Sequence, residues 1–202
     1  LATCDTVLGV ELCEELFTAA SPHITHALSG AEIILNSSGS HHELRKLHRR
    51  VELIREATLK LGGVYLYANQ RGCDGDRLYY DGCALIAVNG DIVAQGDQFG
   101  LDDVDVVTAT VDLADVRAHR TSKSRGMQAC ALAAGNSALH MGHGGPARVD
   151  VPVKMTHGLI DKPSLTLSKP LDVHYYKPEE EIALGPACWP VSYTHLRAHE
   201  TR

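Results

Sequence analysis

From Leu1 to Leu12 apolar and polar positions alternate weakly, and the run ends on Cys13-Glu14-Glu15 before Leu16-Phe17 and a Ser21-Pro22-His23 turn. That order predicts a strand feeding a short helix. Ser29-Gly30 then breaks the chain ahead of Ala31 to Leu35, a short apolar run of the buried-strand kind, which Asn36 and the polar Ser37-Ser38-Gly39-Ser40 loop bring to a stop. From His42 onward Leu44, Leu47, Val51, Ile54 and Thr58 recur at helical spacing. Arg45, Arg49, Glu52 and Arg55 fall on other faces, and Gly62-Gly63 closes the helix. Val64 to Ala68 predicts a strand. Cys83 to Val88 and Asp91 to Ala94 flank Asn89-Gly90, the dipeptide that favours a two-residue hairpin turn.

Further along, Val104 to Leu113 alternates as another strand, and Asp112 to Arg120 turns into a short helix. Ala129 to Ala147 is rich in Ala, Gly and His without a period and reads as irregular, whereas Pro178-Glu179-Glu180-Glu181 reads as a solvated linker or a helix start. Strands mixed with helices, some joined by hairpins, predict an α/β or α+β layered sandwich. At 202 residues without internal repeats, one compact domain is expected.

Composition narrows the function classes. Hydrophobic residues at 44% and charged residues at 22% are ordinary for a soluble globular protein, which sets aside disordered and fibrous chains. A net charge of -6 and the lack of a basic stripe with interleaved aromatics argue against nucleic acid. No apolar run approaches the roughly 20 residues needed to cross a bilayer, so no membrane is expected and a cytoplasmic location is. The six cysteines show no CxxC pair or even framework and read as reduced thiols.

Cys13 is the cysteine placed for chemistry. It ends an apolar run just before a predicted helix, where aligned backbone amides favour a thiolate and can stabilise an oxyanion. The alternative is a small core residue, since free cysteine is among the most buried types. His41-His42 near His48, and His140 with His143, lack a cysteine or carboxylate partner at zinc spacing, so no metal site is expected. Asp74-Gly75-Asp76 lacks the later carboxylates of a calcium loop and predicts a turn stabilised by Asp side chains.

Several blocks carry a resemblance. The Gly-x-x-x-Cys-Glu-Glu block, Gly9 to Glu15, resembles the nucleophile motif of the nitrilase superfamily, whose members break carbon–nitrogen bonds through a thioester. Asn36 to His42, Ala68 to Gly82 and Gly185-Pro186-Ala187-Cys188-Trp189 resemble the amidotransferase half of the eukaryotic-type, glutamine-dependent NAD synthetase family. The likeness runs from about Leu1 to Trp189 and is weakest between Thr121 and Leu171.

The resemblance implies a nitrilase-like four-layer α-β-β-α sandwich, incomplete at its N-terminus, with glutamine as substrate and ammonia passed onward. It casts Cys13 as nucleophile and the backbone N–H of Glu14 as oxyanion donor. Ser40 and Lys46, with Arg45 as the neighbouring alternative, would hold the charged groups of glutamine. Ser40 could equally be a helix N-cap and Lys46 an ordinary exposed helix lysine. The family's general-base Glu and its Lys lie upstream of the nucleophile and have no counterpart here. Glu11, Glu14 and Glu15 are poor substitutes, because neighbours on one segment rarely converge on one reacting atom.

On that resemblance residues 1–176 form the glutaminase domain, 177–189 a linker toward an ATP-dependent synthetase domain, and 190–202 a non-native tail resembling a translated sequencing adapter. The start without Met, directly on an apolar run, points to a segment cut upstream. ATP and Mg2+ belong to the absent domain, where a homo-oligomeric parent would amidate nicotinic acid adenine dinucleotide to NAD. No cofactor is expected in this chain, and little hydrolysis by it alone. Two rival readings are an amidase or nitrilase acting on another amide or nitrile, and a catalytically dead scaffold.

Overall fold

The computed structural model describes residues 1–75, 77–121, 123–135, 147–156 and 165–200. Leu8–Leu12 form strand β1, which runs straight into a 3-10 helix at Cys13–Phe17, and Pro22–Leu28 form helix α1. Strand β2 (Ile33–Ser38), helix α2 (Lys46–Leu61) and strand β3 (Val64–Asn69) follow. β1, β2 and β3 pair in parallel, each crossover carrying a helix, as parallel pairing requires. Strands β4 (Arg71–Cys73) and β5 (Tyr79–Asp81) make a separate two-stranded arm. Strands β6 (Leu85–Val88) and β7 (Asp91–Gln95) return antiparallel, giving one mixed sheet in the order β1-β2-β3-β6-β7.

Strand period two divides this sheet into two faces. Ile34, Tyr65, Tyr67, Leu85 and Ala87 pack on one side against Leu47, Val51 and Ile54 of α2, while Ile33, Val64, Leu66, Ile86 and Val88 pack on the other against Val111, Leu113 and Val116. Leu113 and Val116 belong to helix α3 (Leu113–His119), capped by the Asp112 side chain on Ala114 N–H at 2.8 Å. The result is the expected layered α+β class, with helix, sheet and covering layers of the sandwich formed by the described residues. Gly9 is required by this packing, because a Cβ there would sit 2.8 Å from Ile34 Cδ1 and 2.9 Å from His26 Cβ. Among the described residues no helix is long and apolar enough to cross a membrane.

Several elements differ from the sequence reading. β2 does not stop at Asn36 but continues through Ser38, since the Asn36 side chain is hydrogen-bonded on three sides within the fold. α2 begins at Lys46 rather than near His42, because Arg45 takes a left-handed conformation (φ 67) just before it. Val104 to Leu113 forms no strand. Its bonds are isolated ones, Asp105 accepting Asp97 N–H and Thr110 meeting Ser168, so no ladder forms; Val104 at 75% and Val106 at 76% stay exposed, and Val111 and Leu113 pack on the sheet. Part of the stretch read as irregular is helix α4 (Lys123–Ala133), and His140 and His143 lie outside the described residues. Pro178–Glu181 starts helix α5 (Pro178–Glu200), which runs on past Trp189 and packs on the β4–β5 arm. The Asn89-Gly90 hairpin is as expected, both residues having positive φ (51 and 103).

Candidate active site

β1 delivers Cys13 to the edge of a cleft of about 540 Å3. Its backbone is in the left-handed region (φ 38), which for a residue with a Cβ costs about 1–3 kcal/mol and persists only where neighbours enforce it. Two contacts do so. Cys13 N–H donates to Asn36 Oδ1 at 3.1 Å, and the Glu15 carboxylate reaches back to accept Leu12 N–H at 2.6 Å, closing the head of the 3-10 helix. Glu15 thereby caps the 3-10 helix. The thiol itself is half-buried.

Cys13, Glu14, Ser40, Arg45 and Lys46 all line this one cleft, together with Glu43 and Arg49. Ser40 is buried and is not the cap of α2, whose cap position is Arg45. Its Oγ accepts from Arg50 Nε at 3.3 Å, its carbonyl accepts from Arg50 Nη2 at 2.9 Å and from Asn69 Nδ2 at 3.1 Å, and its N–H donates to Asn69 Oδ1 at 2.9 Å. Lys46 is not an ordinary exposed helix lysine either, since its side chain is only 16% exposed and its Nζ donates to Glu43 Oε1 at 2.9 Å. That contact, more than any other, holds the Glu43 carboxyl below its ordinary value. Arg45 gives its backbone N–H to Glu181 Oε2 of α5 at 2.9 Å, and its guanidinium meets His48 Nε2 at 2.9 Å. Three cations against two carboxylates give the cleft a net positive lining that suits an anionic ligand group.

Beneath Ser40 lies a pair that the sequence reading missed. Arg50 and Asp81 are both fully buried and meet at 2.8 Å, with Asp81 also accepting from Gln98 Nε2 at 2.8 Å and from Asn69 Nδ2 at 3.3 Å. Burial alone would raise the Asp81 carboxyl, but His42, Arg50 and Gln98 outweigh it and hold it below the usual carboxylate range. A signal existed: Arg50 falls three residues after Leu47 and four before Ile54, on the apolar stripe of α2. A second missed group is Glu11, 1% exposed. Its carboxylate accepts from His23 N–H and Nδ1, both at 2.9 Å, from Tyr65 Oη, and from Asn36 Nδ2 at 3.4 Å. So occupied, Glu11 has no lone pair to spare as a base for substrate, in line with the expectation that it would not substitute for the catalytic carboxylate.

The histidines weighed as metal ligands have other partners: His41 pairs with Glu43 at 2.7 Å, His42 approaches Asp81 at 3.4 Å, and His48 stacks on Tyr175. Asp74 accepts Leu78 N–H at 3.2 Å, the side-chain-stabilised turn expected there, while Asp76 lies outside the described residues. Cys83 and Cys188 are buried, and burial pushes the Cys83 thiol up to about 12.

Fold and site together define a layered α+β protein that presents a strained strand-end cysteine to a cationic cleft. The carbon-nitrogen hydrolase profile matches residues 1–121, and the chain belongs to that family. Within the family it is similar to the glutamine-dependent NAD(+) synthetase of Saccharomyces cerevisiae, at 59% identity over 192 residues that cover 94% of this chain and 25% of that protein. The Homo sapiens protein of the same name is 51% identical over 189 residues, again covering 94% of this chain and 25% of its own length. A crystal structure of a glutamine-dependent NAD(+) synthetase from Cytophaga hutchinsonii aligns with a TM-score of 0.43 at 27% identity, over 63% of this chain and 20% of that one. The chain spans about a quarter of the length of the curated relatives it matches.

Proposed function

We propose that the Cys13 cleft hydrolyses the side-chain amide of glutamine and that the protein of which this sequence is a part uses the ammonia to make NAD. The observation that carries this reading is the convergence of Cys13, Glu14, Ser40, Arg45 and Lys46 on one cleft. Cys13 Sγ attacks the amide carbon, and the backbone N–H of Glu14 stabilises the negative oxygen that forms. The C–N bond then breaks, ammonia leaves, and water hydrolyses the thioester to glutamate. Lys46 and Arg45 attract the α-carboxylate, and Ser40, fixed from below by Arg50, supplies an oriented polar edge.

A general-base carboxylate and a lysine come, on this reading, from upstream residues of the whole protein, so this chain alone turns glutamine over slowly or not at all. ATP and Mg2+ act in a separate domain, where nicotinic acid adenine dinucleotide is amidated. The whole enzyme is cytoplasmic and homo-oligomeric.

A diazo-ketone analogue of glutamine tests the site in the chain as it stands. Mass spectrometry should find the adduct on Cys13, with glutamine protecting and acetamide not. Adducts spread over the exposed Cys4 and Cys130, without glutamine protection, would count against the reading.

A further inference from the structure

Asn36 stands on β2 directly opposite Glu11 of β1, outside the residues that line the cleft. Its amide has two different neighbourhoods. Nδ2 faces Tyr65 Oη at 2.9 Å and Glu11 Oε1 at 3.4 Å, and Oδ1 faces Cys13 N–H at 3.1 Å. An amide can be placed either way round in an ambiguous network, but here the order of donors and acceptors leaves one choice. Glu11, bound by His23 N–H and Nδ1, is an acceptor only. Tyr65 must therefore donate its proton to Glu11, and the Tyr65 oxygen is left to accept. The group that donates to it is Asn36 Nδ2, so Asn36 Oδ1 is turned toward Cys13. Among the described residues Asn36 is the side chain that accepts the Cys13 N–H, and with the Glu15–Leu12 contact it holds Cys13 in its left-handed conformation.

We propose that Asn36 is the positioning residue for Cys13, and that the buried Glu11–Tyr65 pair fixes which way round its amide stands. The proposal deepens the reading above and rests on Cys13 being the nucleophile. Without the Asn36 acceptor, Cys13 relaxes toward ordinary backbone angles, and its Sγ shifts from its place in the cleft lining. Glu11 thereby acts on the thiol without touching substrate.

The test is peptide-resolved alkylation of this chain by iodoacetamide across pH, below the unfolding temperature of each variant, with the exposed Cys4 as the internal standard. In the wild type Cys13 should react faster than Cys4. Asn36→Leu should slow Cys13 about tenfold, the effect of one hydrogen bond at a reacting group, with Cys4 unchanged. Asn36→Asp/Glu11→Gln keeps an acceptor opposite Cys13 N–H with a single carboxylate in the pocket, and should return the rate to within about threefold of wild type. A purely structural Asn36 would lower the unfolding temperature but leave the alkylation rate of Cys13 where it was, and that result overturns the proposal. Should Asn36→Leu not fold, Asn36→Ala, which also removes the acceptor, is compared with Asn36→Asp/Glu11→Gln, and equal Cys13 rates in those two overturn it as well. A wild-type Cys13 no faster than Cys4 is a different failure: it removes the nucleophile reading, and the proposal with it.

Discussion

Replacing Asp81 by Asn changes one atom of a fully buried carboxylate and leaves Arg50, equally buried, without its counter-charge. The substituted amide satisfies its surroundings only if the Gln98 amide turns round to accept from it. Arg50 Nη1, Asn69 Nδ2 and Gln98 Nε2 all donate toward Asp81, so an Nδ2 placed on either side faces a donor. Breaking a buried pair in this one-sided way costs about 3–5 kcal/mol, a large share of the roughly 5–15 kcal/mol that holds a domain together. With a urea slope of about 2 kcal/mol per molar, the unfolding midpoint should fall by about 2 M. Arg50→Met/Asp81→Asn removes both charges and should be less destabilised than the sum of the single variants by at least about 2 kcal/mol. The measurement is urea unfolding followed by circular dichroism for all four proteins. A cost below about 1 kcal/mol for Asp81→Asn, or strictly additive variants, would refute the assignment of this pair as the support under Ser40.

Other outcomes follow from the same geometry. Gly9→Ala pushes a methyl into Ile34 and His26 and should cost about 1–3 kcal/mol in urea unfolding, whereas a neutral effect would mean that α1 rides further from β1. Burial pushes the Glu11 carboxyl up, yet His23 and Tyr65 outweigh it, so both Glu11 and Asp81 titrate below their ordinary values in the folded chain. Each therefore contributes stability that is present above the unfolded carboxylate range and is lost as pH falls through the folded value. Acid unfolding should begin below about pH 4, and a chain that grew more stable on acidification would contradict this. The Cys83 thiol, pushed up to about 12, should resist alkylation at pH 8 while the exposed Cys4 reacts, and comparable rates would show that β6 opens readily.

Where the sequence was legible, a strong local period was backed by burial. Leu47, Val51 and Ile54 read as a helix face and are one, and Asn89-Gly90 reads as a hairpin turn and is one. Val104 to Leu113 shows the limit of that logic. Alternation produces an extended chain, but a strand also needs a neighbour, and neighbours are decided by topology. Asn36 fails in the opposite sense, as a residue disfavoured in strands that is kept in one by Glu11, Tyr65 and Cys13. The cleft residues were legible through motif likeness and not through period. Arg50 and Glu11, which support them, were missed because a charged residue reads as surface unless its partner is known. For Arg50 that partner is Asp81, 31 residues away.

On the proposed reading, Cys13→Ala in the whole protein, assayed for NAD formation with either glutamine or ammonium as nitrogen donor, separates glutamine hydrolysis from synthesis. Loss of the nucleophile should lower glutamine-supported synthesis by at least about a thousandfold while ammonium-supported synthesis stays within about twofold of wild type. Glutamine-supported synthesis that survives in Cys13→Ala, or equal loss with both donors, would contradict the assignment of Cys13 as the residue that releases ammonia.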